Sequence, residues 1–464
     1  MATGAFSSEN KPKIIIVGAG LSGLTAGYRL QQMGHDVQVY EARHRPGGRV
    51  LSVKIGESYE ELGGENFLHG NEGRYSLKLM KELNLETLHF EKPFSCVYTN
   101  NEQTVSCAEV INKFKNPPDL WKVMEETASC STNLQEVIDS VFKEDPELCA
   151  ILTRCLTTYE GSDAEKLDPS CIDSLYEIFL LFQNLSVGDN SKIEGMKRLC
   201  LKGGNAKLPL ALSNKLEHKI QYGSVLTALR KEQKKIVLTF NRNQEISADI
   251  VLLTIPCSLY RDIEFASNTI PQEQLLEIKN VQYGTNAKIL FPVTIKNKKY
   301  DFMVLPHCVS WLNEDDSIVT FYMGGKQGIL DLKRAKFLFD QEIPFLIKEE
   351  GDIQINVNKM EEGNDAQLSS YEGAVFKSWI KDPYAKGSYS NRDIGKSALL
   401  NEIITVRGEE VRNIFRPVRD QIFFAGEHTT ILPVLGTLES AIESGERTAR
   451  LIEKSLKGFD ISIQ

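Results

Sequence analysis

The stretch KIIIVGAGLSGLTAGYRLQQMGHDVQVYEA, residues 13–42, decides the fold. Lys13 to Val17 is a short β-branched run, the composition a buried strand prefers, and it stops at Gly18. Leu24 to Met33 then carry apolar residues at helical spacing until Gly34 breaks them, and Val37 to Tyr40 restore the alternation of a strand. Strand, tight turn, helix and strand in that order make a βαβ unit of the Rossmann type.

The turn inside this unit is Gly18-Ala19-Gly20-Leu21-Ser22-Gly23, a G-x-G-x-x-G. Such glycine patterns are common alone, but this one ends a strand and opens a helix. Gly18 permits the tight turn, Gly20 lets the backbone approach a pyrophosphate, and Gly23 lets helix and strand pack closely. The helix start adds free N–H groups and partial positive charge. Glu41, followed by Ala42, closes the second strand 23 positions after Gly18, where a carboxylate can accept ribose hydroxyls. These residues predict a bound dinucleotide. They do not separate NAD from FAD, which use the same turn and carboxylate.

Outward from that unit, 464 residues are enough for two domains. Hydrophobic residues at 41% and charged residues at 25% match soluble globular proteins and exclude a fibrous or disordered chain. Between about Phe90 and Glu194 the pattern turns helical, broken by turn signals at Asn116-Pro117-Pro118 and Gly161-Ser162-Asp163. Strand-like runs return at Ile236 to Phe240 and Ile250 to Ile255, the second unbroken and apolar like a buried parallel strand. Tyr283 to Thr294, Met303 to Leu305 and Ser317 to Tyr322 read as strands, Asp331 to Glu350 as an amphipathic helix, and Ile422 to Ala425 as the last strand. The chain is therefore expected to weave between two discontinuous domains. Residues 11–89, 195–285 and 378–456 build an α/β nucleotide-binding domain, and 90–194 and 286–377 an α+β substrate-binding domain.

A net charge of -9 argues against nucleic acid as a partner; such a mild acidic excess is more often a solubilising surface than a field that gathers cationic substrates, and both readings stay open. The nine cysteines form no C-x-x-C pair and no zinc-type spacing with histidine, so free thiols, no metal site and a reducing cytoplasm are expected. No run approaches the roughly 20 apolar residues of a membrane span, so we expect a soluble monomer or homodimer.

Directly after Glu41 come Arg43 and Arg45-Pro46-Gly47-Gly48-Arg49-Val50. This second glycine doublet resembles that of the FAD-dependent amine oxidase superfamily. The resemblance extends through Glu61-Leu62-Gly63-Gly64, Gly203-Gly204, Val225 to Pro256, and Phe424-Ala425-Gly426-Glu427-His428-Thr429, nearly the whole length. The family contains monoamine oxidases, polyamine oxidases, L-amino-acid oxidases and histone-lysine demethylases. The resemblance implies FAD as cofactor and oxidation of an amine by O2 to an imine or aldehyde, with release of H2O2.

Residue by residue, the resemblance places Gly47, Gly48, Arg43 and Arg49 on the pyrophosphate side, with Arg49 as counter-charge, and Val225 at the adenine. Gly63, Gly64, Glu65 and Asn66 fall near the flavin, as do Trp379 and Tyr384. Gly426 and Glu427 fall at the ribityl chain. Gly436, Thr437 and Leu438 open a last helix, Thr437 to Leu451, whose N-terminus points at the flavin pyrimidine ring. Ser388 stands where covalently flavinylated monoamine oxidases have cysteine, which implies non-covalent FAD. Tyr389 and Thr437 match the two walls of the amine cage. Lys288 matches the lysine near flavin N5, although one lysine in an alternating strand reads by itself as half exposed.

His69, in Leu68-His69-Gly70, resembles animal polyamine oxidases, whereas Glu65-Asn66-Phe67 departs from their pattern. Snake-venom L-amino-acid oxidases carry an arginine where Asn66 stands, which ranks amines above amino acids. Glu65 and Glu160 are candidate partners for a second ammonium, and each is equally readable as a solvated surface carboxylate. The alternatives are an L-amino-acid oxidase, or a desaturase or dehydrogenase that passes electrons elsewhere than to O2.

Overall fold

The computed structural model describes residues 11–68, 70–90, 95–100, 103–115, 117–186, 198–216, 219–350, 353–363, 370–371, 373–395 and 400–461. His69, the turn residue Asn116 and the end of the helical stretch at 187–194 lie outside them.

Ile14–Val17 is the central strand of a five-stranded parallel sheet, in the order Ile422–Phe424, Ile250–Leu253, Ile14–Val17, Val37–Tyr40, Ile220–Gln221. Ile14 lies opposite both Ile250 and Val37. Ile14 and Ile16 pack with Leu24 and Leu30 on one face, while Ile15 and Val17 pack with Leu226, Leu238 and Phe240 on the other. Burial on both faces is why the run carries no alternation.

Two helices cover the first face. Leu21–Gln32 opens directly from the glycine turn, and Leu438–Ile461 crosses it at Gly445, where a Cβ would stand 2.5 Å from the Ser22 carbonyl oxygen. The second face is covered by an antiparallel sheet of Leu226–Glu232, Lys235–Phe240 and Gln244–Ala248. The run at Ile236 to Phe240 is therefore a strand of this separate sheet, not of the parallel one, and its Phe240 ring stacks on Tyr40 at 4.5 Å.

A nine-stranded mixed sheet is centred on Ala287–Ile295, between Ile318–Met323 and Ala374–Ser378. The single strand expected from Tyr283 to Thr294 is split. Gln282–Tyr283 pairs with Ser390–Asn391, and the chain leaves the sheet at Gly284 to Asn286 before Ala287. Gly161 causes the break by packing there: Thr285 N–H donates to its carbonyl at 2.8 Å, and a Cβ on Gly161 would clash with Asn286 at 2.1 Å. Helices including Pro146–Glu160 and Ile172–Ser186 close a separate core around Phe142, Leu152 and Phe179. Among the described residues no helix is long and apolar enough to cross a membrane.

Candidate functional site

A cavity of about 1250 Å³ runs from the glycine turn to the nine-stranded sheet. At its nucleotide end Gly18 has φ +110, and a Cβ there would meet the Thr254 hydroxyl at 2.6 Å. Gly20 faces open space, and it lines the cavity with Leu21 and Ser22. Leu24 N–H donates to the Gly20 carbonyl at 3.0 Å, so the N–H groups before Leu24 fall in the first turn, where a helix supplies no acceptor. Gly23 stands off the wall: its Cβ would lie 2.1 Å from the Gly18 carbonyl oxygen, so this glycine serves helix-on-strand packing. Ala19 also sits behind the wall and donates its N–H to Glu41 Oε2 at 2.7 Å, while Arg43 N–H donates to Oε1 at 2.8 Å. Burial raises the Glu41 carboxyl, and these N–H donors and Arg43 offset it only in part. Each carboxylate oxygen accepts two hydrogen bonds, which leaves Glu41 capacity on the cavity side. Ala42 and Arg43 continue that wall.

The second doublet lies against the first. Gly47, at φ +102, donates its N–H to the Ala19 carbonyl at 2.8 Å, and a Cβ on Gly48 would stand 3.4 Å from Gly20 Cα. Gly63 admits no Cβ, with the Arg49 carbonyl oxygen 2.0 Å away, and Gly64 packs likewise on Leu438.

Both arginines expected beside the pyrophosphate are engaged with carboxylates. Arg43 pairs with Asp382 at 2.5 Å, and Lys377 reaches the same carboxylate at 2.9 Å. Burial raises the Asp382 carboxyl, but Arg43 and Lys377 outweigh it and hold it well below its usual range. Arg49 donates to Glu427 at 2.9 Å and to the Ser388 carbonyl at 2.6 Å. Glu427 also accepts from Ser390 at 2.6 Å, and despite burial its carboxyl is held low by Arg49 and Ser390. The guanidinium expected as a counter-charge is thus ion-paired with Glu427 through Nη1 while it lines the cavity. That partner is 378 positions away, and nothing local announces it.

Tyr384 lies against Arg43, with the guanidinium 5.3 Å from the ring centre. Trp379 donates its indole N–H to the Leu62 carbonyl at 3.0 Å, and Val225 lines the nucleotide end. Gly426 is off the wall, since its φ of +142 and missing Cβ make room for the His428 ring. Burial pushes His428 down to about 4, so the ring is neutral, and the Tyr283 hydroxyl hydrogen-bonds its Nδ1 at 3.0 Å.

At the far end Lys288 is buried rather than half exposed. Its Nζ donates to the Glu61 carbonyl at 2.8 Å, the Gly63 carbonyl at 3.3 Å and Glu65 Oε2 at 2.6 Å. The rings of Tyr322 and Trp311 lie 5.5 and 5.8 Å from it. Glu65, read as a candidate for a substrate ammonium, is thus already ion-paired. The Tyr389 hydroxyl donates to the Tyr159 carbonyl, and a Cβ on Gly436 would stand 2.9 Å from the Tyr389 ring. Thr437 lines the cavity but belongs to the helix cap: its Oγ1 accepts from Ser440 N–H at 3.0 Å. The last helix accordingly begins at Leu438 and runs to Ile461, past the expected Leu451.

Glu160 is not a surface carboxylate. It is 8% exposed, accepts from the Ser174 hydroxyl, and lies 4.0 Å from Arg392. Burial raises its carboxyl. Asn66 lines the same cavity, and Ser388 donates its hydroxyl to Asn286 at 2.6 Å. Sequence reasoning missed Glu72, Asp173, Glu177, Arg392 and Arg412, which also line the wall. Asp173 and Glu177 stand four apart on one helix, a visible signal, whereas Arg412 sits in a short hairpin with no motif.

The cradle fits FAD: the first-turn N–H groups and the space over Gly20 suit a pyrophosphate, Glu41 a ribose, and Glu427 a polyol chain. The model of a family described as flavin containing amine oxidoreductase matches residues 21–327 and 354–453. The L-amino-acid oxidase of Trimeresurus stejnegeri is 22% identical over 498 residues, covering 97% of this chain and 89% of that one. Lysine-specific histone demethylase 1 homolog 1 of Arabidopsis thaliana is 26% identical, over 96% of this chain and 52% of its own. Among solved structures, putrescine oxidase bound to putrescine superposes with a TM-score of 0.66 at 17% identity, over 96% of this chain and 99% of that one. Cyclohexylamine oxidase from Brevibacterium oxydans gives 0.68 at 16%, over 97% and 100%. The chain belongs to the flavin-containing amine oxidoreductase family, as an amine oxidase whose cofactor is FAD.

Proposed function

We propose that this enzyme oxidises an amine bearing a second ammonium group, a diamine or polyamine, with O2 as electron acceptor and release of H2O2. One observation carries the reading. Glu72, Glu160, Asp173 and Glu177 line the cavity on the side of Tyr389, and Arg392, the basic residue among them, is itself paired with Asp173 at 2.8 Å. Such a wall attracts an extended dication and repels the carboxylate of an amino acid.

The bound flavin supplies the electron sink for the hydride equivalent leaving the carbon that bears the amine. The chain's own residues orient and exclude. Tyr389, its hydroxyl fixed to Tyr159, presents a ring face to the amine, and Thr437 leaves room opposite. The N-terminus of the last helix, whose Gly436, Thr437 and Leu438 line the cavity, would favour negative charge on a flavin ring held there. Lys288, held by Glu65, acts in the oxygen half-reaction. Ser388, bonded to Asn286 and offering no thiolate, supports non-covalent FAD. In this reading 11–89, 195–285 and 378–456 form the FAD domain and 90–194 and 286–377 the substrate domain. Nine free cysteines support a cytoplasmic location.

A panel of monoamines, diamines, polyamines and L-amino acids, read by peroxide formation, tests this. The highest kcat/KM is expected for a diamine or polyamine. Preferential turnover of L-amino acids overturns the substrate reading.

A further inference from the structure

Six basic side chains line the cavity among the described residues. Arg43 is paired with Asp382, Arg49 with Glu427, Lys288 with Glu65, Lys298 with Asp301, and Arg392 with Asp173. Among the described residues no carboxylate lies within 4 Å of Arg412. It is 7% exposed and lines the cavity, and among the described residues its side-chain hydrogen bond is from Nε to the Thr430 carbonyl at 2.5 Å, with Nη1 and Nη2 making none.

The surroundings sharpen the imbalance. Arg447, the neighbouring cation, takes up Glu443 at 2.7 Å, and Thr430 donates its hydroxyl to the same carboxylate. Two guanidinium groups thus share one carboxylate in a buried cluster with a net positive charge. Burial, then Arg447, push Arg412 down to about 10, still cationic at neutral pH. A buried charge without a counter-ion is strongly unfavourable, so the balancing anion comes from outside the chain.

The position selects the anion. Glu443 lies two residues before Gly445, the point where the last helix crosses the opening helix at Ser22, in the turn whose N–H groups suit phosphate. That turn offers dipoles but no full positive charge, and the two arginines beside it are ion-paired with Asp382 and Glu427, so each brings its own counter-charge. We propose that Arg412 is a phosphate ligand of the cofactor, with Nη1 and Nη2 supplying the full cationic charge that the glycine turn lacks for the FAD pyrophosphate. The inference rests on FAD as cofactor.

The test uses enzyme stripped of FAD and titrated with FAD or with riboflavin, which lacks both phosphates. For Arg412→Met the FAD Kd is expected to rise roughly 10- to 100-fold, the usual loss for a hydrogen bond to a charged group. Arg412→Lys recovers part of it, and riboflavin affinity stays unchanged. The thermal midpoint of the stripped Arg412→Met protein is equal to or above wild type, because an uncompensated cation has gone, while that of the FAD-loaded form falls. An unchanged FAD Kd overturns the proposal, as does an equal loss for riboflavin. Lower stability of both stripped variants also overturns it, by making Arg412 structural. A raised KM for amino acids with FAD binding intact would place the guanidinium on the substrate instead. Wild type that binds no FAD would reject the cofactor assignment, a failure distinct from that of Arg412.

Discussion

Lys288 is held between a carboxylate and two carbonyl oxygens, so its ammonium has one position and its field points one way. Lys288→Met is expected to keep FAD bound and to slow the reaction of reduced enzyme with oxygen at least tenfold, about 1.4 kcal/mol of transition-state stabilisation. Stopped-flow mixing with oxygen reads that step apart from amine oxidation. Lys288→Met with Glu65→Gln removes the stranded carboxylate, and an unchanged oxygen rate in both variants would reduce Lys288 to a packing residue. Glu61 beside it gives a pH prediction. Burial outweighs its Asn205 and Ser52 hydrogen bonds and pushes its carboxyl up to about 7 from an ordinary 4.5. Between those values the folded protein holds a proton that the unfolded chain has released, so the folded state gains stability as pH falls through that window. Glu61→Gln stays neutral throughout. Its thermal midpoint should exceed wild type by most above about pH 7 and converge on it near pH 5; a pH-independent difference would contradict the shift. At this scale the sequence was legible where chemistry is local, as for Gly18, Gly20 and Glu41. It was silent on Glu160, whose burial depends on Ser174 and Arg392, and on Arg49, whose partner is Glu427.

Elements were read well where composition and burial agree. The opening strand, the helix after it and Val37–Tyr40 follow from β-branched runs and glycine punctuation. The break at Gly284 to Asn286 was not legible, because its cause is Gly161, more than a hundred residues earlier. Nor does alternation give strand order: Cys96–Thr99 joins the large sheet beside Phe302–Val304 across two hundred residues. Helix crossing is equally non-local. The last helix lies on the opening helix through Gly445, so Gly445→Val should force the two apart at a cost of about 1–3 kcal/mol. Because Ser22 lies in the glycine turn that lines the cavity, the loss should appear first as reduced flavin content at equal protein yield. Full flavin loading of Gly445→Val would show that the crossing tolerates the side chain.

For the whole molecule, the cavity that runs from the parallel sheet to the nine-stranded one encloses the cofactor, and Ser388 on its wall offers no thiolate to bond it. Acid precipitation is expected to leave intact yellow FAD in the supernatant, and flavin retained on the pellet would contradict the reading of Ser388. The parallel sheet also sets an order of events during synthesis. Its edge strand Ile422–Phe424 pairs with Ile250–Leu253, and the last helix packs at Gly445 on the opening helix, translated some four hundred residues earlier. At roughly 5–20 residues per second, the ribosome releases Gly436 some 20 to 80 seconds after Gly18. Throughout that interval the nascent glycine turn has no last helix to lie against. Firm loading with flavin is therefore expected only once the last helix, Leu438–Ile461, has been made, and a polypeptide cut short before Leu438 is expected to stay colourless.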